Sequence, residues 1–597
     1  MKERIQTVWE MAFYNWSVLL CFEMLYRGAG FLLLFPLLRA ILGSLPGLAG
    51  EAFLSQENLS RLFERPQALF ALLGVAFLAG LFIFFELAAL FLYCDRGWRR
   101  EKLTVWGLWK ETVLRTASLL HPRRVMALGV LPAMMLSVFA MESGYLRKVR
   151  IPEFLSEYIA GEPLLLCLFL LFILGTHLAA FFYLFGFPVL LLEGGSFPDS
   201  WRESLRLLRG RAWRSAGRVA GYALLSLTAL WGAAAAAVSI LALWLRFFMG
   251  TEAGREEFRA WLLSLGKAWP IAAGALFSTL LSAVVVMLFH QYRGDARPQW
   301  AALRPSGFVA ARRTAAALGT LAALLLFSES EMGGRAWYTE GETAWVVAHR
   351  AGAAFGPENT SAALAGAIAS GADMAEIDVR QLKDGTLVVV HDANFRRTAG
   401  VDLAVKDADY QRVEQLDAGS SFSTRFAGEP VPTLEELLQT AKGRIRLMIE
   451  LKADGREDGL VEETLRLVEK WDMEDQCAIA STSLRHLKEV KKLCPNMATV
   501  YISAVLLSRA YDLEYVDAYS VETTALTREL VLQARYQGKQ VFAWTANTER
   551  TIRKIIECGA DGIVTDNPEL ARYCLNSMEE TLLPDALCDL FFPVKSA

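Results

Sequence analysis

The spacing of hydrophobic residues divides the chain into two halves of different character. From the N-terminus to about residue 328, long apolar runs recur with few charges inside them. An α-helix needs about 20 predominantly apolar residues to cross the hydrocarbon core of a bilayer. By this criterion the sequence predicts an all-α polytopic membrane domain over residues 1–327, with seven spans at 16–43, 67–93, 125–145, 163–192, 219–245, 269–291 and 308–327.

The second half has the pattern of a soluble α/β domain. A polar, turn-rich stretch at 328–343 is predicted to be a linker, and after it short β-branched runs alternate with amphipathic helical segments. This alternation favours βα units and a parallel sheet. One strand more than a TIM barrel holds is predicted, at 345–349, 374–378, 387–391, 446–451, 477–481, 498–502, 516–520, 540–544 and 562–566.

The stretch AEIDVRQLKDGTLVVVHD, residues 375–392, accounts for the extra strand. Only a few residues around KDG separate its two strand-like arms, whereas parallel strands need a crossover of about a dozen residues. The arms are therefore predicted to form an antiparallel hairpin with Asp384 and Gly385 in the turn. Eight strands remain, so the sequence predicts a (β/α)₈ TIM barrel over 344–575 and a C-terminal tail over 576–597.

The distribution of Lys and Arg predicts how the membrane domain is oriented. The N-terminus and one alternate set of loops carry 21 of these cations, and the other set of loops carries 9. The cation-rich loops are 96–124, 202–218 and 293–313, and the cation-poor loops are 44–66, 145–162 and 246–268. Because cytoplasmic loops are enriched in Lys and Arg, seven crossings would place the barrel on the extracytoplasmic face of the cell membrane. If the seventh segment, which Arg312 and Arg313 shorten, only lies on the surface, the barrel is cytoplasmic instead.

Composition narrows the function classes further. The chain is 54% hydrophobic, and its net charge of −3 argues against a general nucleic-acid-binding surface. Its eight cysteines show no CxxC spacing, so neither zinc nor disulfides are predicted.

Glu86 and His290 fall inside apolar runs and are interpreted as interhelical hydrogen-bonding groups. Glu23 and Arg27 lie four residues apart and are predicted to pair on one helix face.

Acidic side chains recur at the ends of the predicted barrel strands, which is where TIM-barrel active sites lie. Glu376 and Asp378 alternate on one strand and therefore point the same way, and Glu450 lies near the end of the next barrel strand. Three converging carboxylates repel one another, and oxygen-only ligands suit a hard divalent cation, Ca²⁺ or Mg²⁺. The alternative interpretation is a salt-bridge ring with Arg350 and Lys452.

Two histidines belong to the same predicted mouth. His349 follows the first strand and His391 ends the hairpin, whereas the third histidine of this half, His486, is predicted on a surface helix. Two imidazoles beside a metal and two cations indicate an acid–base pair. Arg350 and Lys452 would neutralise a phosphoryl group as charge develops on it. This combination favours phosphodiester cleavage over sugar or carbonyl chemistry.

With these residues in place, the second half resembles the glycerophosphodiester phosphodiesterase family, and the whole chain resembles its membrane-integrated bacterial branch. The motifs that carry the resemblance are HRAGAAFGPENT (349–360), EIDVRQLKDGTLVVVHD (376–392), VPTLEELL (431–438), IELK (449–452), WTAN (544–547) and GADGIVTDNP (559–568). The resemblance implies a TIM barrel with an insertion after the second barrel strand, here at about 393–435. It implies hydrolysis of glycerophosphodiesters to sn-glycerol 3-phosphate and an alcohol, with a glycerol hydroxyl attacking phosphorus and water opening the cyclic phosphate. The membrane anchor suggests lipid-derived substrates, such as lysophospholipids, or polymeric glycerol phosphate.

The resemblance also implies a role for each site residue. The implied acid–base residues are His349 and His391. The implied ligands of the Ca²⁺ or Mg²⁺ cofactor are Glu376, Asp378 and Glu450. The implied substrate contacts are Arg350, Lys452 and Trp544.

The sequence departs from the family pattern at two places. The usual HRG is HRAG here, with Ala351 at the glycine position, which would alter the backbone near the phosphate. The usual Ser-Phe after the fourth barrel strand is STS at 481–483, which removes an aromatic wall and leaves substrate size open.

Two other functions fit parts of the pattern. The helical half would serve as a lipid or solute transporter if the barrel were its binding or regulatory module, although few internal charges argue against a transport path. A phospholipase C- or D-like phosphodiesterase on a related barrel would share the chemistry and differ in its product.

Overall fold

The chain is described by a computed structural model covering residues 2–121, 162–296, 307–332, 344–452, 459–508, 511–576 and 587–592, except 52, 56, 57 and 589, together with Arg124 and Ile159. The predicted span at 125–145 lies outside the described residues, as does most of the predicted linker.

Five helices of the first half are long and apolar enough to cross a bilayer, among the residues that were described. They are Trp16–Ala49, Pro66–Trp98, Pro163–Phe182, Ala212–Met249 and Ala272–Arg293, which is the end of a longer helix, Glu252–Arg293. They coincide with five of the predicted spans. The last predicted span forms the helix Gly307–Met332, which is not one of the five and which continues into the predicted linker. The other described helices of this half are Lys2–Phe13, Arg61–Glu64, Val105–Ala117, Ser118–Leu120, Gly186–Pro188, Val189–Glu193 and Phe197–Leu208.

Ionisable side chains inside the helical bundle pair with one another. The Arg27 guanidinium lies 3.1 Å from Glu23 on the same helix, as the spacing predicts, and 3.3 Å from Glu86 on the next span. His290 is buried, and its Nε2 lies 2.8 Å from Asp95. These groups therefore tie neighbouring helices together, in agreement with their interpretation as interhelical contacts.

Eight parallel strands close the second half into a barrel, which confirms the predicted fold. In chain order, barrel strands one to eight are Trp345–Ala348, Met374–Gln381, Arg446–Leu451, Cys477–Ser481, Ala498–Ser503, Ala518–Glu522, Gln540–Trp544 and Gly562–Thr565. Each strand pairs with its neighbour in this order, and Gly562 opposite Trp345 closes the ring. Apolar side chains such as Met448, Val500 and Phe542 fill the barrel interior.

The ninth predicted strand is an antiparallel arm, as its short connection requires. Leu387–Val389 pairs with the end of barrel strand two, with Val379 opposite Val389. The turn contains Gly385 with a φ of 88°, a conformation that costs glycine little because it has no Cβ. The hairpin thereby returns the chain to the carboxyl end of strand two, immediately before His391.

Helices cover the outside of the barrel after seven of the eight strands. They are Ser361–Ala369, Leu434–Ala441, Leu460–Lys470, Leu484–Leu493, Arg528–Tyr536, Glu549–Cys558 and Pro568–Asn576. His486 lies on the outer helix Leu484–Leu493, as predicted, but on its inner face, with only 1% of the residue exposed. It shares the buried face of Leu484–Leu493 with Leu487 and Val490, which pack on the barrel wall.

The segment between His391 and the helix Leu434–Ala441 forms the insertion. It contains four short helices, Arg396–Ala399, Val405–Asp407, Tyr410–Val413 and Thr424–Phe426. Its own small core is built from Val388, Val390, Phe395, Leu403, Val405, Val413 and Val431. The insertion is therefore a folded layer anchored on the hairpin beside the barrel mouth.

A short two-stranded sheet joins the two halves of the chain. Phe53–Ser55, here called the docking strand, belongs to the loop between the first two membrane helices. It pairs antiparallel with Leu506–Ser508, here called the rim strand, which follows barrel strand five.

Candidate active site

Three buried carboxylates converge at the mouth of the barrel. Glu376 and Asp378 alternate on barrel strand two, and Asp378 stands directly opposite Glu450 on strand three. One oxygen from each of the three lies within 4.8 Å of the others. The alternation of side chains along a strand and the parallel register between the strands together produce this cluster.

Fixed donors hold most of the carboxylate oxygens in place. The backbone N–H of Arg350 donates to Glu376 Oε2 at 2.8 Å, and the Asn359 amide donates to Asp378 Oδ2 at 2.7 Å. Lys452 Nζ lies 2.8 Å from both Asp378 Oδ1 and Glu450 Oε1. Glu376 Oε1 is buried and has no hydrogen-bond partner among the described residues. Lys452 thus supplies part of the alternative salt-bridge ring, but it leaves an acceptor of Glu376 unsatisfied.

The pKa values of Glu376 and Asp378 are shifted in opposite directions. Burial, reinforced by the negative charge of Asp378, raises the pKa of Glu376 to about 8. Burial also acts to raise the pKa of Asp378, but the charge of Lys452, followed by those of His391 and Arg350, outweighs it and lowers that pKa strongly. In the absence of a further cation, Glu376 therefore holds a proton at neutral pH while Asp378 stays ionised.

His349 is oriented by a carboxylate from the last barrel strand. It lies directly after strand one, and its Nδ1 donates to Asp566 Oδ1 at 2.7 Å. Asp566 in turn accepts a hydrogen bond from the side-chain amide of Asn547. Burial acts to lower the pKa of His349, but the hydrogen bond to Asp566 outweighs it, so that the pKa is raised. Because Nδ1 is occupied by this bond, Nε2 is the nitrogen that remains to exchange a proton.

His391 has an equivalent carboxylate partner, which is itself held by an arginine. Nδ1 of His391 donates to Asp392 Oδ1 at 2.8 Å. Asp392 accepts from Arg397 Nε at 2.8 Å, and the two terminal nitrogens of Arg397 donate to Glu358 at 2.7 and 2.6 Å. Arg380 donates to the backbone oxygen of His391 at 2.9 Å and 2.8 Å. The imidazole is therefore fixed both through its ring and through its backbone.

The departure from the HRG pattern lies in a strained turn. Arg350 and Ala351 have φ angles of 49° and 65°, and Gly352 follows with 105°. Left-handed backbone is costly for residues with a Cβ, yet this turn aims the Arg350 N–H at Glu376. The Arg350 guanidinium is turned toward Glu358, with Nη1 at 3.2 Å from both carboxylate oxygens.

Trp544 lies at the end of barrel strand seven, as predicted. Its indole N–H donates to the backbone oxygen of Ser520 at 3.1 Å, and its ring borders the apolar interior of the barrel. The first serine of the STS departure, Ser481, is buried and donates to the backbone oxygen of Leu451 at 3.0 Å. It therefore ties strands three and four together and offers no wall to a substrate.

The structure brings the predicted site residues to one end of the barrel, and it adds five residues that the sequence analysis gave no role: Glu358, Asn359, Asp392, Arg397 and Asp566. Four of the five lie inside the motifs quoted above, so the sequence could have indicated their positions. Their hydrogen-bond partners could not be predicted from the sequence. Arg397 lies within the insertion, and its contact with Glu358 spans 39 positions of sequence.

Both halves of the chain match known families. Residues 349–570 match the Glycerophosphoryl diester phosphodiesterase family, and residues 5–266 match the Membrane domain of glycerophosphoryl diester phosphodiesterase. The chain is 34% identical over 232 residues to YhdW of Bacillus subtilis (strain 168), covering 38% of this chain and 95% of that protein. It is 34% identical over 229 residues to the glycerophosphodiester phosphodiesterase of Caldanaerobacter subterraneus subsp. tengcongensis, covering 38% of this chain and 94% of that protein.

Solved structures show the same similarity. A glycerophosphoryl diester phosphodiesterase from Silicibacter pomeroyi is 27% identical, with a TM-score of 0.37 and coverage of 40% of this chain and 95% of that one. An Oleispira antarctica phosphodiesterase in complex with the product sn-glycerol-3-phosphate is 26% identical, with a TM-score of 0.38 and coverage of 39% and 98%.

Proposed function

The chain belongs to the glycerophosphoryl diester phosphodiesterase family, and from that premise we propose that it hydrolyses glycerophosphodiesters to sn-glycerol 3-phosphate and an alcohol at the membrane surface. The observation that carries the proposal is the joint placement of three carboxylates and two carboxylate-oriented histidines at one barrel mouth. A phosphodiester is negatively charged, so the carboxylates alone would repel it. The two imidazoles alone would not neutralise its charge.

The carboxylate cluster fits a hard divalent cation. Glu376, Asp378 and Glu450 offer only oxygen ligands, which Ca²⁺ and Mg²⁺ prefer. The buried Glu376 Oε1 has no hydrogen-bond partner in the part of the chain that the structure describes, and Lys452 neutralises only part of the negative charge. A bound cation would supply charge neutralisation at the phosphoryl oxygens. We therefore assign these three residues as its ligands and prefer this assignment to the salt-bridge ring.

The two histidines are proposed to carry the protons of the reaction. One takes the proton of the neighbouring glycerol hydroxyl as its oxygen attacks phosphorus, and the other gives a proton to the departing alcohol oxygen. A cyclic phosphate results. Water then adds to phosphorus as the bond from phosphorus to the attacking glycerol oxygen breaks; the histidine that gave up its proton takes one from the water, and the other returns its proton to the glycerol oxygen, which leaves sn-glycerol 3-phosphate. His349 and His391 suit this cycle because Asp566 and Asp392 occupy their Nδ1 atoms, which orients both rings and leaves Nε2 to exchange the proton.

Arg350 and Lys452 are proposed to contact the phosphoryl oxygens, and Trp544 to border the glycerol. Before substrate binds, Arg350 is held by Glu358 and Lys452 by Asp378 and Glu450. Both cations are thus already at the mouth. Burial acts to lower the pKa of each, but the neighbouring carboxylates outweigh it and raise the pKa, so both side chains stay charged and an incoming phosphoryl group would compete with those carboxylates for them.

We also propose that the barrel lies on the extracytoplasmic face. The docking strand, which contacts the barrel, belongs to the cation-poor loop 44–66. The C-terminal residues after the barrel contact a second cation-poor loop, since Phe592 packs with Leu245 and Phe258 and its backbone oxygen accepts from Arg255 at 3.1 Å. Two loops that the positive-inside rule assigns to the outer face thus hold the catalytic half.

The test is turnover by the full-length protein in lipid nanodiscs. With Ca²⁺ or Mg²⁺, a water-soluble glycerophosphodiester should yield glycerol 3-phosphate, detected with a coupled dehydrogenase, and a chelator should abolish the signal. Glu376→Ala should lose activity by about 100-fold or more, whereas the matched control Glu463→Ala, on an outer helix and paired with the exposed Arg466, should not. Undiminished turnover by Glu376→Ala would refute the site, and a cyclic lysolipid phosphate as final product would indicate the phospholipase alternative.

A further inference from the structure

The barrel wall is incomplete where it meets the membrane domain. Barrel strand five ends at Ser503 and strand six begins at Ala518, and no helix lies among the described residues between them, which omit only 509 and 510. In place of a helix, the rim strand pairs with the docking strand, in the register Phe53 to Ser508, Leu54 to Leu507 and Ser55 to Leu506. A segment of the membrane domain therefore covers this sector of the barrel.

Apolar packing supports the pairing on both sides. Phe53 meets the buried Tyr501 of barrel strand five edge to face, with ring centroids 6.3 Å apart. Leu507 packs into a membrane-domain cluster that contains Leu45 and the fully buried Leu54. Removing aromatic and leucine side chains from water in this way stabilises the contact. The contact is thus a packed interface with a defined register.

The contact lies at the catalytic end of the barrel. The rim strand follows the carboxyl end of strand five, and the carboxyl ends of the strands form the mouth where the candidate active site is located. Its membrane-domain partners, the cluster around Leu45 and Ala68, lie at the end of one membrane helix and the start of the next. The rim of the mouth therefore abuts the ends of two membrane helices.

We propose that the docking strand holds the active-site mouth against the outer leaflet and thereby selects diesters anchored in the bilayer, of the lysophospholipid type, over water-borne polymers. This inference rests on the proposed function. A lipid headgroup is confined to the plane of the interface, so a mouth fixed at that plane meets it at a high effective concentration. A barrel attached only by its linker would lose this advantage because it would sample many orientations.

The docking itself is tested without any activity measurement. Leu54→Cys and Leu507→Cys face each other in the register, and opposed antiparallel residues are about 4.5–5.5 Å apart at Cα, within the range for a disulfide. With a protease site inserted in the linker at 333–343, the oxidised double variant in nanodiscs should keep both fragments together on a non-reducing gel. The two single variants control for the eight native cysteines. Separation of the fragments in the double variant to the same extent as in the single variants would overturn the proposal.

Substrate selection is tested with Leu54→Asp, which places a carboxylate in the apolar interface. Turnover of a lysophospholipid in the same nanodisc should fall about tenfold or more, while a soluble glycerophosphodiester without acyl chains is turned over within about twofold of wild type. Leu493→Asp, on a side chain that is 48% exposed, is the control. Equal loss on both substrates, no loss on either, or a wild-type preference for a soluble glycerol phosphate polymer would each overturn the selection. Wild-type protein inactive on every diester would refute the proposed function, and the cross-link would still decide the docking.

Discussion

Arg397 offers a sharp test of how the site is assembled, because it does not belong to the proposed reacting groups. It donates to Asp392 at 2.8 and 3.1 Å and to Glu358 at 2.7 and 2.6 Å. Asp392 in turn accepts from Nδ1 of His391. Arg397→Ala removes the charge that holds this carboxylate, so we expect His391 to lose orientation while the substrate contacts remain.

The magnitude follows from the geometry. The Arg397 side chain is 49% exposed, so solvent screens its ion pairs, and we expect a stability loss of only about 1–2 kcal/mol. Loss of an outer partner that orients a reacting group typically costs about 10–100-fold, which corresponds to about 1.4–2.7 kcal/mol in the activation barrier. The loss should fall on kcat, with KM nearly unchanged, because Arg397 makes no proposed contact with the substrate.

The pH profile separates a positioning role from a structural one. Burial acts to raise the pKa of Asp392, but its hydrogen bonds to His391 and Arg397 outweigh burial and lower that pKa. A lowered carboxyl pKa contributes stability that is present above the unfolded pKa and is lost as pH falls through the folded pKa. Arg397→Ala should therefore raise the pKa of Asp392 and move the acid limb of the kcat profile to higher pH.

The neighbouring arginine is the matched control. Arg396 has a side chain that is 70% exposed and pairs with Asp402, another exposed residue. Arg396→Ala should leave kcat within about twofold of wild type, as expected for an exposed ion pair. Arg397→Lys should recover part of the activity, because it restores the positive charge but not the planar guanidinium that donates to Asp392 and Glu358 at once. If Arg397→Ala behaves like Arg396→Ala, or if it raises KM alone, the argument is refuted.

Three further predictions follow from the same site. Asp566→Asn should lower the raised pKa of His349 and so move the limb of the pH–rate profile that His349 sets to lower pH. The same change should remove a contribution to folding stability that is present below the pKa of histidine in the unfolded chain and is lost as pH rises through the pKa of His349 in the folded protein. An unmoved limb would contradict this role. Ala351→Gly should relieve a left-handed φ of 65° and raise stability by about 0.5–1 kcal/mol in thermal melts, whereas Gly352→Ala, whose Cβ would lie 3.1 Å from a backbone oxygen, should lower it. Because Glu376 is protonated below its pKa of about 8, Ca²⁺ binding at neutral pH should release a proton and tighten as pH rises toward that value. Calorimetry in two buffers of different ionisation heat measures the release, and a pH-independent affinity would contradict it.

The barrel and its carboxylate cluster were predictable because both follow from simple periodicities. The two-residue repeat of a strand puts Glu376 and Asp378 on one face, and neighbouring parallel strands end at one rim, which brings Glu450 beside them. The hairpin followed from the length of its connection, since a connection of only a few residues cannot make a parallel crossover. Local rules of this kind do not depend on the rotamers of side chains that are distant in sequence.

The remaining features depend on long-range packing, which no local pattern encodes. Lys452 was predicted as a substrate contact, and no local pattern indicated that it also bridges Asp378 and Glu450. His486 sits on an outer helix but on its inner face. The docking strand is three residues long, too short to show a periodicity, and its partner Leu507 is far away in sequence. Rotamers and short strand pairings are decided by the neighbours that the fold supplies.

The charge at the mouth gives a second argument for the proposed divalent cation, beside the geometry of its proposed ligands. The described residues around the two histidines and the cluster include six carboxylates, from Glu358, Glu376, Asp378, Asp392, Glu450 and Asp566, and four permanent cations, from Arg350, Arg380, Arg397 and Lys452. A phosphodiester brings one more negative charge into this excess. A proton on Glu376 compensates part of it, and the protons of the two histidines are the ones that the proposed reaction moves. A divalent cation removes the repulsion without using the protons, so chelation should weaken substrate binding as well as slow turnover. Equilibrium binding of a non-hydrolysable phosphonate analogue with and without Ca²⁺ measures this directly, and equal affinities would show that the excess charge is compensated within the protein.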